Sequence, residues 1–283
     1  MNVHPQDIDR RWLKRFGRID HNARIRLLCF HHAGGSAAMY REWHRLMPSS
    51  VELVAVQLPG RADRFAEPAH DRMTCLVHDL VDVLKPLLDR PFACYGISMG
   101  ARVAWALTHR LRELAMPLPT RLYVACDPAP ITDDGTWPWQ GRPDGLEGYL
   151  REMGGTPLEV LDSPELLRAV LPTLQADLAV LSTHDFSPTT PLDVPIRAFA
   201  GVDDPTGTPE RVAFWRTETT AGFQLHHLAG GHFLNAAAER QVVQTIVQDL
   251  HLTGGHFLNA AAERQVVQTI VQDLHLTSEG KRV

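Results

Sequence analysis

The chain has 283 residues, 44% hydrophobic and 22% charged, enough to bury one large core, and α/β domains of this size are often single. A formal net charge of −5 with scattered arginines argues against a nucleic-acid footprint, and no apolar run approaches the ~20 residues of a membrane span. Four cysteines are too few for a disulfide scaffold, and the start, Met1 to Arg11, holds no apolar h-region, so the expectation is a cytoplasmic protein without a signal peptide.

The first readable strand, 25–30, runs into the glycine-rich exit His31-His32-Ala33-Gly34-Gly35-Ser36. Such a loop could cradle a phosphate, but neither G-x-x-x-x-G-K-[ST] nor G-x-G-x-x-G occurs. A helix is predicted over 38–47, a strand over 51–57, a helix over 72–88 and a strand over 91–96. That strand ends in Gly96-Ile97-Ser98-Met99-Gly100, followed by a helix over 99–113. Strand, sharp turn and helix with serine at the apex is the context a G-x-S-x-G nucleophile elbow requires. Its glycines are needed where the turn strains the serine and neighbouring chains pass too close for a β-carbon. The elbow makes Ser98 the candidate nucleophile. It also makes the N–H of Met99 one oxyanion donor, with the Ala33 N–H in the exit of strand 25–30 as the other.

A strand over 121–126 follows, and then the alternation breaks. Prolines and glycines cluster at Asp127-Pro-Ala-Pro130 and Trp137-Pro-Trp-Gln-Gly-Arg-Pro143, with helical stretches at Gly145 to Met153 and Pro164 to Leu181. The segment, about 128–192, is expected to be a lid, with Trp137, Trp139, Met153, Leu166 and Leu178 able to line an acyl channel. The strand over 195–200 ends at Gly201, and Asp203 and Asp204 occupy the loop at its carboxyl end, where α/β folds place functional groups. Spacing does not separate the two as candidate acid. After a helix over 209–217 and a strand over 223–228 comes Gly230-Gly-His232, with His232, the candidate base, expected to open a helix over 233–250. The order Ser, Asp, His, each after a strand, matches a triad on a mostly parallel sheet covered by helices on both faces: the α/β-hydrolase fold.

Gly230 to Thr253 is repeated without one change as Gly254 to Thr277, so the histidine is duplicated as His256. The first copy is expected to complete a single domain over 1–253, with its stripe Val242, Val243, Ile246, Val247 and Leu250 packed as the final helix. The second, 254–277, is then left as an extra helix or tail. Fifteen histidines invite a metal reading, but His226-His227 alternates across strand faces and no H-E-x-x-H occurs, so no metal is expected. Cys29, Cys94 and Cys126 fall in strands predicted to be buried, as small hydrophobes.

Trp12-Leu-Lys-Arg-Phe16, Leu28-Cys-Phe-His-His-Ala-Gly-Gly-Ser36, Val56-Gln-Leu-Pro-Gly-Arg61, the elbow and Gly230-Gly-His-Phe-Leu234 are together far more discriminating than the elbow alone. On them the chain resembles the type II thioesterases that accompany polyketide synthases and nonribosomal peptide synthetases, from about Trp12 to Leu250. The resemblance implies Ser98 as nucleophile, His232 as base and, between the two aspartates, Asp204 as acid. It implies hydrolysis of acyl or peptidyl thioesters from the phosphopantetheine arms of carrier proteins, with no cofactor. A monomer is expected, although nothing in the sequence specifies the oligomeric state. One departure is His31, which stands where the family usually has proline. Two other readings use the same residues: a general carboxylesterase or lipase acting on oxygen esters, and a non-catalytic α/β-hydrolase serving as a binding module.

Overall fold

Short runs rich in Val, Leu, Phe and Tyr can satisfy their backbones and bury both faces only inside a parallel sheet. The computed structural model, which describes residues 10–17, 23–133, 135–184 and 189–253, places them so. Among the described residues the strands are β1 (Leu13–Lys14), β2 (Ile25–Phe30), β3 (Val51–Val56), β4 (Phe92–Ile97), β5 (Leu122–Ala125), β6 (Ile196–Gly201) and β7 (Phe223–Leu228). They form one sheet in the order β1-β3-β2-β4-β5-β6-β7, parallel except for the β1 edge. Every residue of β2, β4 and β5 is buried.

The helices are α1 (Met73–Leu84), α2 (Met99–Glu113), α3 (Gly145–Met153), α4 (Leu158–Leu161), α5 (Pro164–Ser182), α6 (Pro209–Val212) and α7 (Ala236–Thr253). On one face α1 and α2 pack Leu76, Leu80, Val103 and Leu107 against Leu28, Val54 and Val124 of the sheet. On the other, Val242, Val243, Ile246, Val247 and Leu250 of α7 join Tyr40, Trp43 and Tyr95. The first copy of the repeat therefore fills that groove; the second, with His256, lies outside the described residues. Helices α3, α4 and α5, inserted between β5 and β6, close a third small cluster of Leu150, Leu161, Leu167, Leu174 and Leu178.

Three expected elements differ. The helix over 38–47 is two 3₁₀ turns, Ala37–Tyr40 and Trp43–Arg45. A ten-residue helix has little stability of its own, and here the Ala37 N–H donates to Gln57 while the Tyr40 hydroxyl donates to Phe30 O, tying the segment to the sheet. The helix over 209–217 is α6 followed by a 3₁₀ stretch, Ala213–Glu218. The last helix begins at Ala236, not at His232, because Asn235 Oδ1 accepts the Ala237 and Ala238 N–H groups at 3.0 Å and caps it there.

Candidate active site

Strand order sets the position of the site. The chain leaves β2 toward β3 on one side and returns as β4 on the other, so the loops after β2 and β4 part at a switch point. The β2 loop carries Ala33; the β4 loop is the elbow. Ser98 has φ 52° and ψ −125°, and its N–H donates to Ala125 O of β5 at 2.8 Å, which holds the strained turn in place. A β-carbon on Gly96 would lie 2.1 Å from Gly100 O, and one on Gly100 2.2 Å from Phe30 O, so no side chain fits at either flank.

The loops after β6 and β7 meet this serine. His232 Nε2 is 3.0 Å from Ser98 Oγ, and His232 Nδ1 is 2.9 Å from Asp204 Oδ2. The Asp203 N–H donates to Gly230 O, lashing the two loops together, while the Asp203 side chain is exposed; it is Asp204 that faces the histidine. Asp204 Oδ1 accepts the Thr206 N–H (2.9 Å), the Thr206 hydroxyl (3.0 Å) and the Gly207 N–H (2.9 Å). Burial alone would raise the Asp204 pKa, but the His232 ring and the Gly207 and Thr206 N–H groups outweigh it and hold it below the usual carboxylate range. An ionised Asp204 can only accept, so His232 Nδ1 carries the proton and Nε2 faces Ser98 as an acceptor.

The β2 exit is a turn with Gly34 at φ +73° and the Gly35 N–H donating to His32 O at 3.0 Å. Among the described residues no protein group accepts the Ala33 or the Met99 N–H. His31, which the sequence puts in place of a proline, is buried and donates from Nδ1 to His32 O at 2.8 Å.

A cavity of about 440 Å³ opens above Ser98 and His232. Its apolar wall includes Trp137, Trp139, Met153 and Leu178, with the two tryptophan rings stacked 5.0 Å apart. Leu166 is not part of its lining and is 49% exposed. The polar wall was not foreseen. Buried Arg102, one turn into α2, donates to Asp127, to Asp133 (2.5 Å) and to Pro128 O (2.6 Å). Burial pushes the Asp127 pKa up to about 6, against the pull of Arg102. Thr206 and Asp177 also escaped sequence reasoning, and Arg61 entered it only as the end of a motif, without a role. For Asp177 a signal existed, an acid on the apolar face shared with Leu174, Leu178 and Leu181. The buried thiol of Cys126 is pushed up to about 12, which suits a small hydrophobe rather than a nucleophile. Among the described residues no group of three His, Cys, Asp or Glu could hold a metal ion.

A seven-stranded, mostly parallel sheet with a strained serine after β4 and acid and histidine loops after β6 and β7 defines an α/β-hydrolase. Residues 25–250 match the family model described as Thioesterase domain, and the chain belongs to that family. It is 35% identical over 233 residues to the linear gramicidin dehydrogenase LgrE of Brevibacillus parabrevis, covering 81% of this chain and 88% of LgrE. Among solved structures it is similar to RedJ, a thioesterase from the prodiginine biosynthetic pathway in Streptomyces coelicolor (33% identity, TM-score 0.74, 80% of this chain and 90% of RedJ). It is also similar to BorB, a type II thioesterase from the borrelidin biosynthetic cluster (32% identity, TM-score 0.75, 87% of this chain and 99% of BorB).

Proposed function

We propose that this chain is a type II thioesterase that hydrolyses acyl or peptidyl thioesters from the phosphopantetheine arms of carrier proteins, an editing role in polyketide or nonribosomal peptide biosynthesis. The observation that carries this reading is the continuous line Asp204–His232–Ser98 beneath a half-apolar cavity, in a chain of the thioesterase family. The prodiginine biosynthetic pathway named for RedJ and the borrelidin biosynthetic cluster named for BorB support the substrate class.

In this reading Ser98 Oγ attacks the thioester carbonyl while His232 Nε2 takes its proton, and Asp204 stabilises the imidazolium that forms. The Met99 and Ala33 N–H groups hold the tetrahedral oxyanion, each worth about 3–4 kcal/mol of barrier. The leaving thiol, with a pKa of about 8.5, departs readily and takes the proton from the His232 imidazolium, which leaves the imidazole neutral again. Neutral His232 Nε2 then takes a proton from the water that attacks the acyl-serine and delivers it to the departing Ser98 Oγ, which releases the free acid, and no cofactor enters. The insertion carrying α3 to α5 acts as a lid, its tryptophans and leucines receiving the acyl chain.

The test is one acyl group offered in three forms: on a carrier protein, on coenzyme A and as an oxygen ester. The expected order places the carrier-bound thioester first in kcat/KM. Equal or faster cleavage of the ester would replace this reading with that of a general carboxylesterase.

A further inference from the structure

The loop after β2 is held peptide by peptide. The peptide between His32 and Ala33 is fixed through His32 O, which accepts the Gly35 N–H and His31 Nδ1–H. The next peptide, between Ala33 and Gly34, carries the tie of the turn to the inserted helices. It is gripped on both edges. Ala33 O accepts His32 Nδ1–H at 2.9 Å, and the Gly34 N–H donates to Asp177 Oδ2 at 2.7 Å.

Asp177 comes from the inserted helix α5 and is 1% exposed. A carboxylate buried among leucines is costly unless it is paired. Arg61, from the loop after β3, supplies a bidentate partner, Nη1 to Oδ2 at 2.6 Å and Nη2 to Oδ1 at 2.8 Å. The same Arg61 is anchored through Nε and Nη2 to Pro59 O. One carboxylate thus joins the insertion, the β3 loop and the turn beside Ser98.

We propose that Asp177 is a positioning residue for the oxyanion loop: by accepting the Gly34 N–H it holds the whole β2 turn in place beside Ser98, so that seating of the insertion and placement of the Ala33 N–H are one event. This rests on Ser98 as nucleophile and Ala33 as donor. Without the carboxylate, the turn loses its tie to α5 and shifts as a unit, carrying the Ala33 N–H out of line. The insertion is then more than a cover. Its departure switches off the oxyanion donor of the β2 loop.

The test needs a variant that leaves no buried charge unpaired. Replacing both members of a buried ion pair by apolar residues of similar size is often neutral or stabilising, so Arg61→Met/Asp177→Leu keeps the fold while removing the acceptor of the Gly34 N–H. Thr173→Val is the control. Its hydroxyl tethers α5 to Gly60 O at 2.6 Å, away from the β2 loop. Two quantities are read: the rate of Ser98 phosphonylation by a small alkyl fluorophosphonate, and kcat and KM on a short acyl thioester. The double variant should label and turn over about thirtyfold more slowly or worse, with KM within about threefold, because a misaligned donor acts on the transition state. Thr173→Val should stay within about threefold on every quantity. If the double variant does not fold, Arg61→Gln/Asp177→Val, which also leaves no charge unpaired, is read in the same way. Labelling at the wild-type rate in a folded variant overturns the inference. Wild-type labelling at Ser98 without cleavage of any carrier-bound thioester defeats the substrate reading alone, and the comparison of labelling rates still decides this one. No labelling of wild-type Ser98 overturns the site and the inference together.

Discussion

Replacing Gly100 by alanine perturbs the site without touching any side chain in it. The new β-carbon would lie 2.2 Å from Phe30 O, 2.6 Å from Phe30 C and 2.8 Å from His31 O, all backbone atoms at the end of β2. Opening the 2.2 Å approach to the 3.0 Å that real contacts keep means about 0.8 Å of movement between α2 and β2. Neither side yields cheaply, because Phe30 is buried mid-sheet and Met99, at the start of α2, is fully buried. Overpacking of this kind costs about 1–3 kcal/mol, which for a domain of this size lowers Tm by about 3–10 °C. The movement falls between the two proposed oxyanion donors, Met99 on one side and the loop beginning at His31 on the other. A misplacement near 1 Å costs about a hundredfold in rate. Gly100→Ala should therefore remain folded at 25 °C, melt several degrees earlier and lose about two orders of magnitude in kcat on an acyl thioester, with KM little changed. Thermal melting and steady-state kinetics on the same preparation measure both. A folded variant with kcat within threefold of wild type would refute the argument that this approach sets the oxyanion geometry.

Asp204→Asn removes the acceptor that fixes the His232 tautomer and should lower kcat by about 10⁴-fold, whereas Asp203→Asn, at an exposed position, should stay within threefold. His232→Ala should be inactive and His256→Ala near normal, and a chain ending at Thr253 should retain activity, because the groove that receives the final helix is filled by Val242, Val243, Ile246, Val247 and Leu250. The opposite result for the two histidines would transfer the role of base to the second copy. His109 supplies a stability prediction. Burial, with Arg112 beside it, pushes its pKa down to about 4, and Arg112 donates to Nδ1, leaving the buried Nε2 without a partner. The unfolded chain takes a proton near pH 6.5 that the folded state refuses until about pH 4, so stability falls as pH drops through that window. His109→Gln should show a shallower fall in Tm over the same range; an identical slope would contradict the assignment.

Much of this was legible because it rests on local rules. The apolar runs at 25–30, 91–96 and 121–126 are strands because little else buries six residues on both faces, and the glycines at 96 and 100 mark a turn that only an elbow explains. The start of the last helix could have been read too, since Asn235 ahead of three alanines is a cap signal. Other features depend on contacts that sequence does not display. Whether 38–47 coils into a helix is decided by Gln57 and Phe30 O, and the choice of Asp204 over Asp203, which spacing leaves open and only the family resemblance makes, has its physical reason in the Gly230 loop. The Arg61–Asp177 pair spans 116 residues, and the Arg102–Asp127–Asp133 wall forms where the insertion begins. The apolar face around Asp177 signals that it needs a partner, but no period or spacing names the partner in either case.

Intact-mass analysis of the chain after exposure to a serine-directed phosphonate, followed by peptide mapping, bears most directly on the central claim. One adduct per chain, located on Ser98, is the predicted result, with a folded Ser98→Ala variant that takes no label and hydrolyses acyl thioesters at background rate. Thioester turnover persisting in that variant, or an adduct on any other residue, would contradict it.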